Sequence, residues 1–337
     1  SDGGAWRHRT QNTSWYNEGV SKSRGARKEF PTVAVIVIES QNLTIYDGDD
    51  PNLPMWMDFD YGASGLASIT MLYANGKAVS ALNGVICCVG SAGWNDGLTA
   101  IDFIADNAKW RNSSYIANWT NGIGNRNVAG GYGSFITAPN EIIVAAQVND
   151  VSMTVLPNAP IDASTGLPIP TIVVATAGGV SVIKDDMTVV DLISSHSGYA
   201  NCKFTGIADN QVLLSYEQND APRRFWVHDI PSSDTTVTSS VILRGSADEF
   251  YKDYNTGFSG NALNYHGYHS NPTPYYKYAN RVLLTSNYLY LGLDKNLAII
   301  KRNKNSAGGE DGMLCGIANN YNTGWMHGDN KGAFLSD

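Results

Sequence analysis

Charge is scarce in this chain: Asp, Glu, Lys and Arg together make up 16% of its 337 residues. That supply is too thin for the heptad arrays of a coiled coil or for a disordered, solvated chain. Cysteine is scarcer, with four residues. Cys87 and Cys88 are adjacent, Cys202 and Cys315 are isolated, and no pair has the spacing of a zinc or redox motif. Alternation along Val85 to Val89 sends the neighbouring thiols to opposite faces, so buried free cysteines and no structural disulfide are expected. No run approaches the roughly 18 apolar residues of a membrane span, and the start lacks the apolar stretch of a signal peptide, so no membrane insertion is expected. The nucleophile-elbow, zinc-protease and phosphate-loop patterns are all absent. A net charge of −8 and a pI near 5.2 argue against nucleic acid as a partner. The local exception is Arg7, Arg9, Lys22, Arg24, Arg27 and Lys28, which read as part of a solvated or docking segment.

What is abundant points to strands and tight turns: 34 Gly, 18 Tyr and 8 Trp. Three stretches share one pattern of two apolar runs around a small turn: KAVSAL-NG-VICCVG, TIVVAT-AGG-VSVIKD and YLYLGL-DKN-LAIIKR. Self-similarity at roughly 40 residues is the mark of a β-propeller, whose four-stranded blades bury their faces against neighbouring blades. The expected fold is therefore an all-β propeller of antiparallel blades, six or seven in number with seven favoured. Residues 1–29 read as an extended N-terminal arm whose aromatics anchor elsewhere, and residues 30–337 as the propeller domain. VAVIVIES, LTIYDGDD and PMWMDFD open the β-structure. SITMLYANG, KAVSAL, GVICCVG and LTAIDFIAD form the most complete blade. A weaker unit, Tyr115 to Gln147, offers SFIT and EIIVAAQV. VSMTVLP, TIVVAT, VSVIKD and TVVDLIS make a third, with the loop Asn158 to Pro170 inserted at its edge. CKFTGIA, QVLLSYEQ, RRFWVHDI and TVTSSVILR make a fourth. A long aromatic-rich insertion, 245–280, separates these from RVLLTS, YLYLGL, NLAIIKR and MLCGIA, and pairing of VAVIVIE or LTIYD with this last unit would close the ring.

The opening DGGAWRHRTQNTSWYNE with SRGARKEFPTVAVIVIESQNLTIYDGDDPNLPMWMDF, the central LPNAPIDASTGLPIPTIVVATAGGVSVIKDD and the final GWMHGDNKGAFLSD resemble tail-fibre-like structural proteins of marine and freshwater tailed bacteriophages. The resemblance spans nearly the whole chain and brings no catalytic motif with it. It implies a virion tail appendage that is extracellular when functional, other virion proteins as partners, and a homo-oligomer, a trimer. It also agrees with the start at Ser1 and the end just after an apolar run in suggesting a segment of a longer polypeptide.

Asp47-Gly48-Asp49-Asp50 with Asn52 gathers oxygen ligands in one turn, but not at the spacing of a calcium loop; a solvated turn is expected. Asp185-Asp186 reads as a hairpin turn stabilised by its own side chains. Paired carboxylates for glycoside hydrolysis could come from Asp248, Glu249 and Asp253 or from Glu310 and Asp311. His266 and His269 have metal-ligand spacing only if helical, and Gly267 opposes that. The strongest signal is the aromatic insertion: Tyr254, Tyr265, His266, Tyr268, His269, Tyr275 and Tyr276 could stack on sugar faces or pack inward. Trp94 and Trp325 are smaller versions of the same choice. No catalytic residue, metal ligand or cofactor is assigned. The expected function is non-enzymatic attachment to a host cell-surface glycan or protein, or virion assembly. A polysaccharide depolymerase and a purely structural connector are the alternatives.

Overall fold

A computed structural model describes residues 5–39, 41–61, 69–72, 76–90, 96–163, 166–195, 200–216, 224–237, 279–293, 296–301 and 314–318. The described part is all-β, with one short helix, α1 (Ala5–Thr10), ahead of the strands. The chain divides into two compact units, Ser1–Asp191 and Leu192–Asp337.

In the first unit, β1 (Ala34–Ile38), β2 (Asn42–Asp47) and β3 (Met55–Asp60) form an antiparallel meander. A second sheet runs in order through β4 (Gly76–Leu82), β5 (Val85–Gly90), β6 (Gly97–Asp102), β7 (Asn107–Arg111) and β8 (Ile116–Trp119). A third holds β9 (Val148–Thr154), β10 (Thr171–Thr176), β11 (Gly179–Ile183) and β12 (Val189–Ser194), within which the boundary between the units falls. Asn83-Gly84 joins Leu82 to Val85 with φ of 51° and 81°. Both values are positive, as the two-residue turn matching strand twist requires.

Period 2 decides what each face of the second sheet meets. Ile86, Cys88, Ile101, Ala108 and Trp119 pack with Leu43, Ile45, Trp56, Met57 and Phe59 of the first sheet. The intervening Cys87, Val89 and Leu98 pack with Val148, Val151, Ile172, Val174 and Ile183 of the third. The second sheet is thus covered on both sides, and the two vicinal thiols enter different cores as free cysteines. Burial pushes the Cys87 thiol up to about 12 and raises that of Cys88 as well.

The N-terminal segment, expected as an extended arm whose aromatics anchor elsewhere, packs Trp15 into the first core. Trp15 is fully buried, donates its indole N–H to Phe103 O at 2.7 Å, and meets Trp56 and Phe103 edge-on at 5.6 and 5.7 Å. Its scattered aromatics showed no period because irregular backbone places them. Arg24 and Arg126 are each 1% exposed. Arg126 donates to Asp58 O and Ser23 O at 2.6 Å and to Glu18 Oε2 at 2.7 Å. Arg24 donates to Trp56 O and Lys28 O, lies over the Trp56 ring at 4.7 Å, and shares Glu18 at 3.8 Å. Burial, only partly offset by Glu18, lowers the Arg24 pKa to about 10.

All three quoted hairpins are present, as β4–β5, β10–β11 and, in the second unit, Tyr288–Leu293 with Asn296–Lys301. Other expectations are corrected. EIIVAAQV is irregular up to Gln147, because its donors go to a turn at Ala138 O and to the Ser181 hydroxyl rather than to a ladder. SFIT contributes one isolated bridge, Ile136 to Ile116. Ile69–Leu72 of SITMLYANG is buried but not a strand, and the second sheet is completed instead by β7 and β8. LTAIDFIAD stops at Asp102, whose carboxylate accepts from Ile104 and Ala105 N–H at 2.9 Å and turns the chain.

The second unit holds an antiparallel sheet of β13 (Cys202–Ala208), β14 (Gln211–Tyr216) and β15 (Arg224–Asp229). The fourth strand expected there, TVTSSVILR, is described only as β16 (Thr235–Val237). It pairs in parallel with Leu192–Ser194 of β12 rather than with β15. A further four-stranded antiparallel sheet comprises β17 (Ala279–Leu284), β18 (Tyr288–Leu293), β19 (Asn296–Lys301) and β20 (Leu314–Ala318), so MLCGIA supplies its last strand.

Trp15→Ala is expected to cost the first unit about 3–5 kcal/mol in urea unfolding, as for a large core ring. A side chain on a merely docked arm would cost under about 0.5 kcal/mol. Glu18→Gln leaves two buried guanidinium groups without their counter-charge and is expected to cost about 3 kcal/mol in the same assay.

Candidate functional site

The nine residues favoured from sequence, Tyr254, Tyr265, His266, Tyr268, His269, Tyr275, Tyr276, Trp94 and Trp325, lie outside the described residues, as do Asp248, Glu249, Asp253, Glu310 and Asp311. Two acidic turns are described. In the first, Arg27 occupies the position a cation would need. Its Nη1 meets Asp47 Oδ1 at 2.8 Å and Asp49 Oδ2 at 2.7 Å, while Asp49 also accepts from Thr32 and Val33 N–H. Those backbone bonds, with Arg27, hold the Asp49 carboxyl below its ordinary pKa. In the second, Asp186 accepts from the Thr188 hydroxyl and N–H at 2.5 and 2.9 Å, the self-stabilised turn expected there. Among the described residues no group of three His, Cys, Asp or Glu could hold a metal ion.

A different site emerges where the second and third sheets part. The core between them ends at Val85, Ala100, Ile172 and Ile183, and beyond these opens a cleft of about 830 Å³ within the first unit. One wall is the polar face of β6–β8, where strand register aligns Asp102 with Asn107 and Lys109 with Asn118. The facing rim is the turn 184–187, and the loop between β9 and β10 covers one end. That loop folds back on itself through Asp162 N–H to Leu167 O at 2.9 Å and is pinned by Asn83 Nδ2 to Pro168 O at 2.8 Å. Gly166 has φ +64°, a left-handed conformation that favours glycine.

Each charged lining group has a distinct condition. Asp106 is consumed structurally, accepting from Ser14 N–H and hydroxyl at 2.6 and 2.8 Å and from Ile123 N–H at 2.9 Å. Lys109 pairs with Glu141 at 2.8 Å. Asp102 uses Oδ1 for its two backbone donors, and burial, with the nearby Asp162 charge, raises its pKa above the usual carboxylate value. Arg111 is 2% exposed; its Nη1 donates to Glu141 O at 3.2 Å while its Nε has no hydrogen-bond partner. Burial lowers its pKa. Guanidinium and amide donors beside carboxylate acceptors, above an apolar floor, form the composition of a small-ligand site. Sequence reasoning missed it because NAKWR was not read as a strand. The signal was present in the alternation of Asn107, Lys109 and Arg111 with Ala108 and Trp110.

No protein-family model and no curated protein matches this chain. Distant similarity to solved structures extends to PorZ, a surface component of the type-IX secretion system of Porphyromonas gingivalis, at 8% identity and TM-score 0.31, covering 89% of this chain and 37% of that one. Hsv2p of Kluyveromyces lactis is similar at 10% identity and TM-score 0.31, over 86% and 95% of the two chains. The extracellular domain of BT4673 from B. thetaiotaomicron reaches 10% identity and TM-score 0.32, over 94% and 36%. The chain thus spans little more than a third of the PorZ and BT4673 chains. Likeness this distant carries no argument about architecture or activity.

The electrostatics give two measurable outcomes of opposite sign. A carboxyl with a raised folded pKa takes up its proton more readily when folded, so its contribution to stability grows as pH falls through that pKa and is complete below the unfolded value. Asp102→Asn keeps the Oδ1 acceptor and removes the ionisation. Stability at pH 7 is therefore expected to equal or exceed that of the parent, with a flatter profile as pH rises above the ordinary carboxylate range in urea titrations. Asp49 has a depressed pKa, so its contribution is present above the ordinary carboxylate range and lost as pH falls through the folded value. Arg27→Ala is expected to move the Asp49 titration upward, read from its side-chain carboxyl carbon shift.

Proposed function

We propose that the chain is a β-propeller module of a tailed-phage appendage, non-enzymatic, that attaches the virion to a host-surface glycan. Six or seven blades form a rigid ring whose surface loops do the recognition. The observation that carries this reading is the second sheet, buried on one face by the first sheet and on the other by the third. A sandwich buries one face of each sheet, whereas a propeller blade buries two. The parting of such sheets makes a fixed cleft like the one bearing Asp102 and Arg111. The resemblance of the N-terminal, central and C-terminal stretches to phage tail-fibre-like proteins supplies the biological setting, with other virion proteins and further copies of the chain, as a trimer, for partners. Several copies on one particle convert weak single contacts into firm adsorption through effective concentration.

The test combines alanine at Tyr265, Tyr268 and Tyr276 in the assembled appendage. If these rings recognise the host surface, assembly and thermal unfolding stay unchanged while retention on host envelope falls by at least about tenfold, equivalent to about 1.4 kcal/mol. A structural connector gives the reverse, with impaired assembly and unaltered retention of whatever particles form.

A further inference from the structure

We propose that the cleft between the second and third sheets is a subsite for an uncharged saccharide unit, with Arg111, Asp102 and Asp162 as its hydrogen-bond partners. The proposal rests on the attachment reading above and gives it a ligand class. Two observations converge. The volume of about 830 Å³ lies within the range of small-ligand sites, roughly 300–1,000 Å³. Arg111, a fixed charge that lines the cleft at 2% exposure, carries a donor with no protein acceptor. Buried donors are normally satisfied, and a guanidinium that borders a cleft is placed to donate to an acceptor from outside the chain.

The choice of ligand follows from the remaining groups. Asp102 spends one oxygen on the Ile104 and Ala105 N–H groups, leaving Oδ2 to accept from a hydroxyl, and Asp162 stands close enough to perturb it. A sugar offers vicinal hydroxyls that accept from a guanidinium and donate to carboxylates at once. Its C–H face suits the apolar floor of Val85, Ala100, Ile172 and Ile183. Charge sets the class. Asp102, Asp106, Asp162, Asp185 and Asp186 outnumber Lys109, Arg111 and Lys184 along the lining, and Lys109 is already paired with Glu141. A uronate or sialate carboxylate would enter a field of its own sign, whereas a neutral sugar meets no such barrier.

The experiment is calorimetric titration of the full chain with neutral oligosaccharides of glucose, galactose, mannose and N-acetylglucosamine, beside oligosaccharides ending in glucuronate or sialate. At least one neutral probe is expected to bind and every acidic one to bind at least tenfold more weakly. Asp162→Asn and Asp102→Asn should each weaken the neutral probe about tenfold with an unchanged unfolding midpoint, and Arg111→Lys more than that. Neutral binding that survives both Asp→Asn substitutions overturns the subsite and leaves the attachment reading standing. A preference for acidic probes overturns the assigned ligand class, and retention of no probe of either kind removes the subsite together with the glycan reading.

Discussion

Strand β5 imposes the constraint on which the first unit depends: successive side chains point to opposite sides of a sheet, and here neither side is left to water. A strand with one wet face alternates apolar and polar residues. Ile86, Cys87, Cys88 and Val89 do not alternate, because each of the two faces meets its own partner sheet. The two thiols mark this directly, one in each core. Small, weakly polar cysteine suits a position where a neighbouring sheet approaches closely, and burial keeps both sulfurs protonated and chemically quiet.

Where apolar packing ends, arginine takes over. Arg24 and Arg126 tie the N-terminal segment to the first sheet by donating mainly to backbone carbonyls, with Glu18 as the shared counter-charge. Arg27 does similar work outside the core, neutralising two aspartates that would otherwise repel across one turn. Two of the clustered basic residues near the start, Arg24 and Arg27, are thus spent on internal ion pairs. Arg111 shares with Arg24 a buried Nε that no acceptor meets, but it stands at the border of a cleft rather than inside the first core.

The repeated hairpins were legible because local chemistry alone specifies them: β-branched runs flank turns such as Asn83-Gly84, whose positive φ few other residues tolerate. The opposite destinations of Cys87 and Cys88 follow from period 2 with no further information. What the sequence hid was set by non-local partners. EIIVAAQV has strand composition, yet its amides are claimed by Ala138 and Ser181, which no local pattern announces. Trp15 reads as an exposed anchor until Phe103, 88 residues away, supplies its acceptor. One wall of the cleft was legible in the alternation of Asn107, Lys109 and Arg111, but the approach of Asp162, on the loop between β9 and β10, to Asp102 on β6 was not. The aromatic insertion was the clearest compositional signal, but composition alone does not say which way a ring points.

The fastening of the N-terminal segment also sets an order of events during synthesis. Ser14 is bonded to Asp106 and Glu18 to Arg126, sequence separations of 92 and 108. A ribosome releases this segment first and its partners last, so Trp15 must wait, uncovered, until most of the unit has emerged. Closing such long loops late gives a high contact order and slow acquisition of the native core, in the millisecond-to-second regime of roughly 10⁻³–1 s typical of non-local β topologies. During that interval the indole is an adhesive surface for other nascent chains, and the segment that seals the mature core is the one most in need of a chaperone's cover.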